Sequence, residues 1–280
     1  MSTRRTRSAL SNVKKAVGII GCGAIGTGLA LAIDKGIVKG ARLVALSDRV
    51  RARAEKLSRR LRRSPPVLEV EALIARCDLV VESAHASLVP SLLKRVVKRR
   101  KDLLILSTGG LLGQETVLQK ARKAGCRILL PSGALFGIDG IKAASLLPIK
   151  NLVLTTRKPP QSFEGAPFVL KKGIRLGSIR KATLLFRGNV KQAVKAFPQN
   201  INVAATLALS SGSRRLEVRV IADPKVRRNS HEVVLEGPAG KLFMRSENVP
   251  SKENPKTSRL AILSAVATLK AFLDPVRIGT

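Results

Sequence analysis

The chain has 280 residues and a formal net charge of +34, from 52 Lys and Arg against 18 Asp and Glu. That length allows two domains with separate cores, which must be aliphatic because there is no Trp, no Tyr and only seven Phe. The charge favours small anions and non-specific polyanion binding, yet aromatic platforms for unpaired bases are nearly absent and no zinc-finger, RNA-recognition or homeodomain pattern appears.

Residues 1–13 form a polar, basic leader expected to be disordered; an organellar transit peptide is the alternative. Ala16–Ile20 then reads as a buried strand running into Gly21-Cys-Gly-Ala-Ile-Gly26 and a helix over Ala24–Lys35. This G-x-G-x-x-G turn has a defined job. Gly21 permits the tight turn, Gly23 lets a pyrophosphate approach the backbone, and Gly26 lets helix and sheet pack closely. Phosphates would rest on the N–H groups of Ala24, Ile25 and Gly26 at the helix N-terminus. The strand Leu43–Leu46 follows and ends at Asp48, at roughly the twenty-residue spacing where an acid meets the adenosine ribose. Asp48 favours NAD, while Arg49 and Arg51 can offset its repulsion of a 2′-phosphate, so NAD and NADP are both expected cofactors, NAD the better.

The uncharged run Ala16–Ile33 after a basic leader also has the outline of a signal peptide or membrane anchor. Five glycines in it argue against a helix of that kind. A soluble, cytoplasmic protein is the expectation, with no membrane partner. The odd number of cysteines (Cys22, Cys77, Cys126) suits reduced thiols. No Cys/His spacing suggests zinc, and with two histidines no metal site is expected.

Further along, helices are expected over Arg51–Arg63, Glu69–Ala75, Ser87–Arg100 and Gln114–Ala124, and strands over Asp78–Glu82, Leu103–Ser107 and Arg127–Leu130. The basic runs Arg49–Arg63, Lys94–Lys101 and Lys171–Lys181 read as solvated faces. Regular alternation of strand and helix predicts an α/β, doubly wound parallel sheet of Rossmann type. After Pro131 the pattern changes. Strands over Leu152–Thr156, Lys181–Arg187, Leu216–Ala222, Glu232–Glu236 and Lys241–Arg245, with helices over Val190–Ala196 and Asn202–Ser211, predict an α+β domain with a mixed sheet and helices on one face. Ser258–Leu273 is a last apolar helix expected to return to the first domain. The expected division is 14–131 plus 255–275 for dinucleotide binding and 132–254 for substrate, catalysis and dimerisation.

Polar motifs in the second part are the places to seek chemistry. They are Pro131-Ser-Gly-Ala-Leu-Phe-Gly-Ile-Asp-Gly140, Thr155-Thr-Arg-Lys-Pro-Pro160, Phe197-Pro-Gln-Asn-Ile-Asn-Val203, Arg228-Asn-Ser-His-Glu232 and the segment 247–258 with its E-N-P-x-T-S. In this order behind a glycine turn, they resemble the L-aspartate dehydrogenase family from about Val17 to Leu273. The resemblance implies oxidation of L-aspartate with NAD or NADP to iminoaspartate, which hydrolyses to oxaloacetate and ammonia, or the reverse amination. It implies a homodimer and a link to quinolinate synthase in NAD biosynthesis. Position by position, His231 matches the family's catalytic histidine, and Ala134 with either Asn200 or Asn202 matches its nicotinamide-side contacts.

The chemistry asks for such a histidine independently. Hydride leaves Cα only from an uncharged amine, and carbinolamine breakdown moves protons both ways, so a group titrating near neutrality suits both. His85, at the carboxyl end of a predicted strand, is the rival and is read as a neighbour of the substrate. Two substrate carboxylates call for fixed cations. Arg157, Lys158 and Arg228 are the candidates because they sit in otherwise uncharged motifs. A same-fold dehydrogenase for another amino acid or imine, and a basic nucleic-acid-associated protein reusing the fold, are the alternatives. The family resemblance does not account for the charge of +34.

Overall fold

A computed structural model describes residues 14–198, 202–213, 215–251, 253–254 and 257–279. The leader 1–13 and Asn200 lie outside the described residues, as do Pro255 and Lys256.

The first part runs β1 (Lys15–Ile20), α1 (Ala24–Asp34), β2 (Ala41–Ser47), α2 (Arg51–Arg59), α3 (Val70–Arg76), β3 (Leu79–Glu82), α4 (Val89–Lys98), β4 (Asp102–Ile105), α5 (Glu115–Lys123) and β5 (Ile128–Leu129). Its strands form one parallel sheet in the order β2-β1-β3-β4-β5. The central strands are short, continuous apolar runs because helices cover both their faces. Val17, Ile19, Leu79 and Leu104 point toward α1 and α2, while Ile20, Val80, Leu103 and Ile105 point toward α3, α4 and α5.

Local chemistry trims several expected elements. The predicted helix over Arg51–Arg63 stops at Arg59, where the chain turns to bury Leu61 and the Arg62 N–H donates to Asp34. The predicted helix over Ser87–Arg100 begins instead as a 3₁₀ turn at Ala86–Leu88, and α4 then starts at Val89 with Pro90 in its first turn. Strand β5 keeps only two residues, since it is a sheet edge with Pro131 close behind.

The second part continues with α6 (Ile138–Ala144), β6 (Asn151–Lys158), α7 (Pro167–Lys171), β7 (Thr183–Asn189), α8 (Val190–Ala196), α9 (Asn202–Ser211), β8 (Leu216–Ala222), β9 (Asn229–Gly237) and β10 (Gly240–Asn248). These strands form a mixed sheet, β10-β9-β6-β8-β7, in which only β6 and β8 pair in parallel. Alternation on β8 buries Leu216, Val218, Val220 and Ala222 on one face and leaves Glu217, Arg219 and Ile221 on the other. The buried face packs against α8 and α9, with Phe163, Phe168, Phe186 and Phe197 clustered there at ring distances of 5.5–5.8 Å. Helices α6 and α7 were not expected: α6 carries Gly140 within its seven residues, and α7 has only five.

The last helix, α10 (Arg259–Leu273), is capped by the Ser258 side chain accepting from the Ala261 N–H. It returns to the first part and packs on α1, where Gly28 leaves room for Ile262. Ala265, Leu269 and Phe272 thereby join the core beneath the first sheet.

Candidate active site

At the glycine turn the three positions do different work. Gly21 adopts φ +94°, and a Cβ there would lie 2.6 Å from the Ser83 backbone. A Cβ on Gly26 would lie 1.9 Å from the Gly21 carbonyl oxygen, so only glycine lets α1 start this close to β1. A Cβ on Gly23 would meet nothing within 4 Å. The space above Gly23 is the space a pyrophosphate needs.

Gly23 caps α1 without a side-chain hydrogen bond, and no acid occupies the first turn. The N-terminal N–H groups, Ala24 and Ile25 among them, therefore face outward with an uncompensated positive dipole end. Asp48 accepts from the Cys22 N–H (2.7 Å) and the Val50 N–H (2.8 Å), which ties the end of β2 to the turn. A carboxylate has further lone pairs for ribose hydroxyls, so the residues present fit a bound dinucleotide. Burial pushes the Cys22 thiol up to about 12, with Asp48 adding to it, which makes Cys22 a space-filling residue rather than a nucleophile.

From this turn a cleft of about 310 Å³ runs between the two sheets. Ile25, His85, Ser107 and Thr108 line it from the first part, and Ala134, Lys158, Asn202 and His231 from the second. A larger groove, about 750 Å³, lies along the β5 edge and touches neither the turn nor any histidine.

The cleft is braced by polar contacts. Glu82, at the carboxyl end of β3, accepts from the Ala84 N–H (2.8 Å) and the Ser107 N–H (3.0 Å), so one carboxylate braces two cleft-lining loops. Burial raises its pKa against those hydrogen bonds. The Ala134 carbonyl accepts from the Ser246 hydroxyl (3.1 Å) and the Asn248 amide (3.2 Å), which fixes the 131–140 motif on β10. Thr108 donates to the Asn202 carbonyl (2.9 Å) and meets the Thr206 hydroxyl at 3.1 Å. The Asn202 side chain accepts from the Gly109 N–H at 3.3 Å. These contacts join the two parts beside the cleft.

His231 sits on β9 with its side chain on the buried face, 4% exposed. Its strand partner on β6 is Thr156, whose hydroxyl lies 3.0 Å from Nδ1. Two residues further along the same face of β6 is Lys158, 6% exposed. Burial pushes Lys158 down to about 8. Burial and then the nearby Lys158 charge push His231 down to about 3, so its imidazole is neutral. Among the described residues lining the cleft, Lys158 is the one Lys or Arg, and none is Asp or Glu.

The other expected cations stand apart. Arg157 projects from the opposite face of β6 and pairs with Asp223 at 2.8 Å, while exposed Arg228 precedes β9; neither lines the cleft. Strand alternation is the reason: adjacent residues in Thr156-Arg157-Lys158 cannot share a face. His85 is exposed at the rim, its Nδ1 accepting from the Ser87 N–H. Sequence reasoning missed Thr156, Glu82, Ser246 and Asn248. The period of two from Lys158 points to Thr156; nothing local marks the others.

A dinucleotide-binding sheet joined to a mixed sheet that delivers a histidine and a lysine to a shared cleft defines an NAD(P)-dependent oxidoreductase. Comparison with known proteins narrows the class. The "Aspartate dehydrogenase, C-terminal" family matches residues 139–272, and "Homoserine dehydrogenase, NAD binding domain" matches residues 21–131. The chain is 47% identical over 269 residues to an L-aspartate dehydrogenase of Methanosarcina barkeri, covering 94% of this chain and 99% of that one. It is 38% identical over 273 residues to one of Nitrosopumilus maritimus, covering 95% and 100%. The crystal structure of aspartate dehydrogenase from Thermotoga maritima superposes with a TM-score of 0.74 at 25% identity, over 95% of this chain and 99% of that one. The chain belongs to the L-aspartate dehydrogenase family. Among the described residues no helix is long and apolar enough to cross a membrane, and no group of three His, Cys, Asp or Glu could hold a metal ion.

Proposed function

We propose that this protein oxidises L-aspartate to iminoaspartate with NAD or NADP, and runs the reverse amination of oxaloacetate. The observation that carries the reading is the pairing of His231 with Lys158 in one cleft that opens at the glycine turn. A bound NAD or NADP would supply the acceptor for the hydride that leaves Cα. Lys158 holds a substrate carboxylate as an ammonium, a state that ion pairing favours over its free value of about 8. That carboxylate also cancels part of the positive field on His231, which raises the basicity of the imidazole when substrate arrives. His231 then takes the proton that the substrate ammonium must lose, and returns it to the departing amine during carbinolamine breakdown.

Gly21, Gly23, Ala24, Ile25, Gly26 and Asp48 bind the dinucleotide in this reading. Ala134 and either Asn200 or Asn202 serve the nicotinamide side, and His85 neighbours the substrate. The position of Lys158 supports it as the carboxylate anchor in place of Arg157 and Arg228. Residues 14–131 with 255–275 serve the cofactor, and 132–254 the substrate. A homodimer would use the outer face of the mixed sheet, where Phe243 is 62% exposed beside Arg245 and Glu232. Three buried, unbridged cysteines are in keeping with a cytoplasmic location. Release of iminoaspartate to quinolinate synthase for NAD synthesis, and salt-sensitive association with polyanions through the charge of +34, complete the reading.

The test is aspartate-dependent appearance of reduced cofactor at alkaline pH. Loss of the signal in His231→Asn is expected. Comparable rates on alanine or glutamate would instead favour another amino-acid dehydrogenase. Nucleic-acid binding that survives physiological salt, with no turnover, would favour the nucleic-acid reading.

A further inference from the structure

His231 has two ring nitrogens, and the fold treats them differently. Nδ1 lies 3.0 Å from the Thr156 hydroxyl, with both side chains buried. Every sealed side-chain nitrogen or oxygen among the described residues has a hydrogen-bond partner. Nε2 has no such partner and therefore opens to the cleft that His231 lines. The pairing is set by register rather than by a flexible loop. Thr156 and His231 are directly opposed on antiparallel β6 and β9, in the middle of a five-stranded sheet.

We propose that Thr156 is the positioning residue of the proton-handling histidine: it aims Nε2 at the substrate and lets the ring both take and give a proton. The second half follows from the chemistry of a hydroxyl, whose oxygen can accept from Nδ1–H. With Nδ1–H held in this way, Nε2 of the neutral ring presents a lone pair and acts as a base. Once Nε2 has taken a proton the ring is imidazolium, Nδ1–H still donates to the same oxygen, and Nε2–H is the acid. A carboxylate in the same place would favour the imidazolium far more strongly. In this cleft, where the cation Lys158 already sits on the same face of β6, a neutral partner suits a base that must begin unprotonated. The remaining groups around the ring do not compete for the role. Ser246, its partner on β10, is committed to the Ala134 carbonyl, and Ser107 and Thr108 line the cleft from the first part. Lys158 and His85 are the other titratable side chains among the described cleft residues.

The inference rests on His231 handling the substrate proton. Two substitutions at one position test it. Thr156→Val keeps the shape and removes the hydroxyl; Thr156→Ser keeps the hydroxyl. Expected for Thr156→Val is a fall in kcat of roughly ten- to a hundred-fold, the scale of a buried polar group left unpaired, with KM for the cofactor unchanged and a shifted pH profile of kcat. Thr156→Ser is expected to stay within about three-fold of the parent, half a decade or under 1 kcal/mol. Thr156→Ala carries the same expectation as Thr156→Val should the valine variant fail to fold. Parental kcat and pH profile in the valine or alanine variant, or a serine variant as impaired as either, would overturn the inference. His231→Asn separates the two levels. An inactive His231→Asn beside a normal Thr156→Val leaves the proposed function standing and removes only this role for Thr156. An active His231→Asn removes the proton-handling role of His231 and with it this role for Thr156, while the overall reaction stands.

Discussion

Replacing His231 with Asn should flatten the acid side of the stability curve. The imidazole is buried beneath the cleft, and burial followed by the Lys158 charge takes its pKa from 6.5 to about 3. Below pH 6.5 the unfolded chain can bind a proton that the native site refuses, so stability falls as the pH drops. The contribution is complete above pH 6.5 and is lost on the way to about 3. At about 1.4 kcal/mol per pH unit, this one group removes roughly 3 kcal/mol between pH 6.5 and about 4.5, where a typical domain has only about 5–15 kcal/mol to lose. Asn keeps a hydrogen-bonding group near Thr156 and has no such proton to bind. Urea unfolding of both proteins across that range measures the difference directly, since the carboxylates common to both cancel. Parallel curves would mean that the site accepts the proton after all, and would refute the buried neutral imidazole on which the catalytic reading depends.

Three further outcomes follow from geometry. Gly23→Val should leave the unfolding midpoint little changed, because a Cβ there meets nothing, while KM for the cofactor rises at least about ten-fold through loss of the phosphate cradle. Gly26→Ala should do the reverse damage: its Cβ would sit 1.9 Å from the Gly21 carbonyl oxygen, and a strained fit of that kind costs about 1–3 kcal/mol or more in thermal or urea unfolding. Arg157→Ala should lower stability by about 1 kcal/mol, since its pair with Asp223 is only partly exposed, and should leave KM for aspartate unchanged because the side chain does not line the cleft.

Much of the fold was legible because local chemistry dictated it. The turn Gly21-Cys-Gly-Ala-Ile-Gly26 states its own geometry, since no residue with a Cβ fits at Gly21 or Gly26. The apolar runs of β1, β3 and β4 announce strands buried on both faces, and the spacing to Asp48 places an acid at the end of β2. The motifs around Ala134, Asn202 and His231 marked where polar groups are concentrated. By contrast, α6 has the helix-weakening Gly140 within it and α7 has only five residues, so neither reads as a helix.

What the tertiary structure alone decided is which of those polar residues meet. Arg157 and Lys158 are neighbours in sequence and equal as cations, but the two-residue period of β6 sends one to Asp223 and the other to the cleft. Thr156 became part of the site only through the register of β6 against β9, a pairing between residues 75 positions apart. Glu82 gained its role from loops that follow two different strands. Glycine geometry and hydrophobic period act over a few residues, so the sequence displays them; strand register and the approach of two sheets depend on the whole chain, so only the folded molecule does.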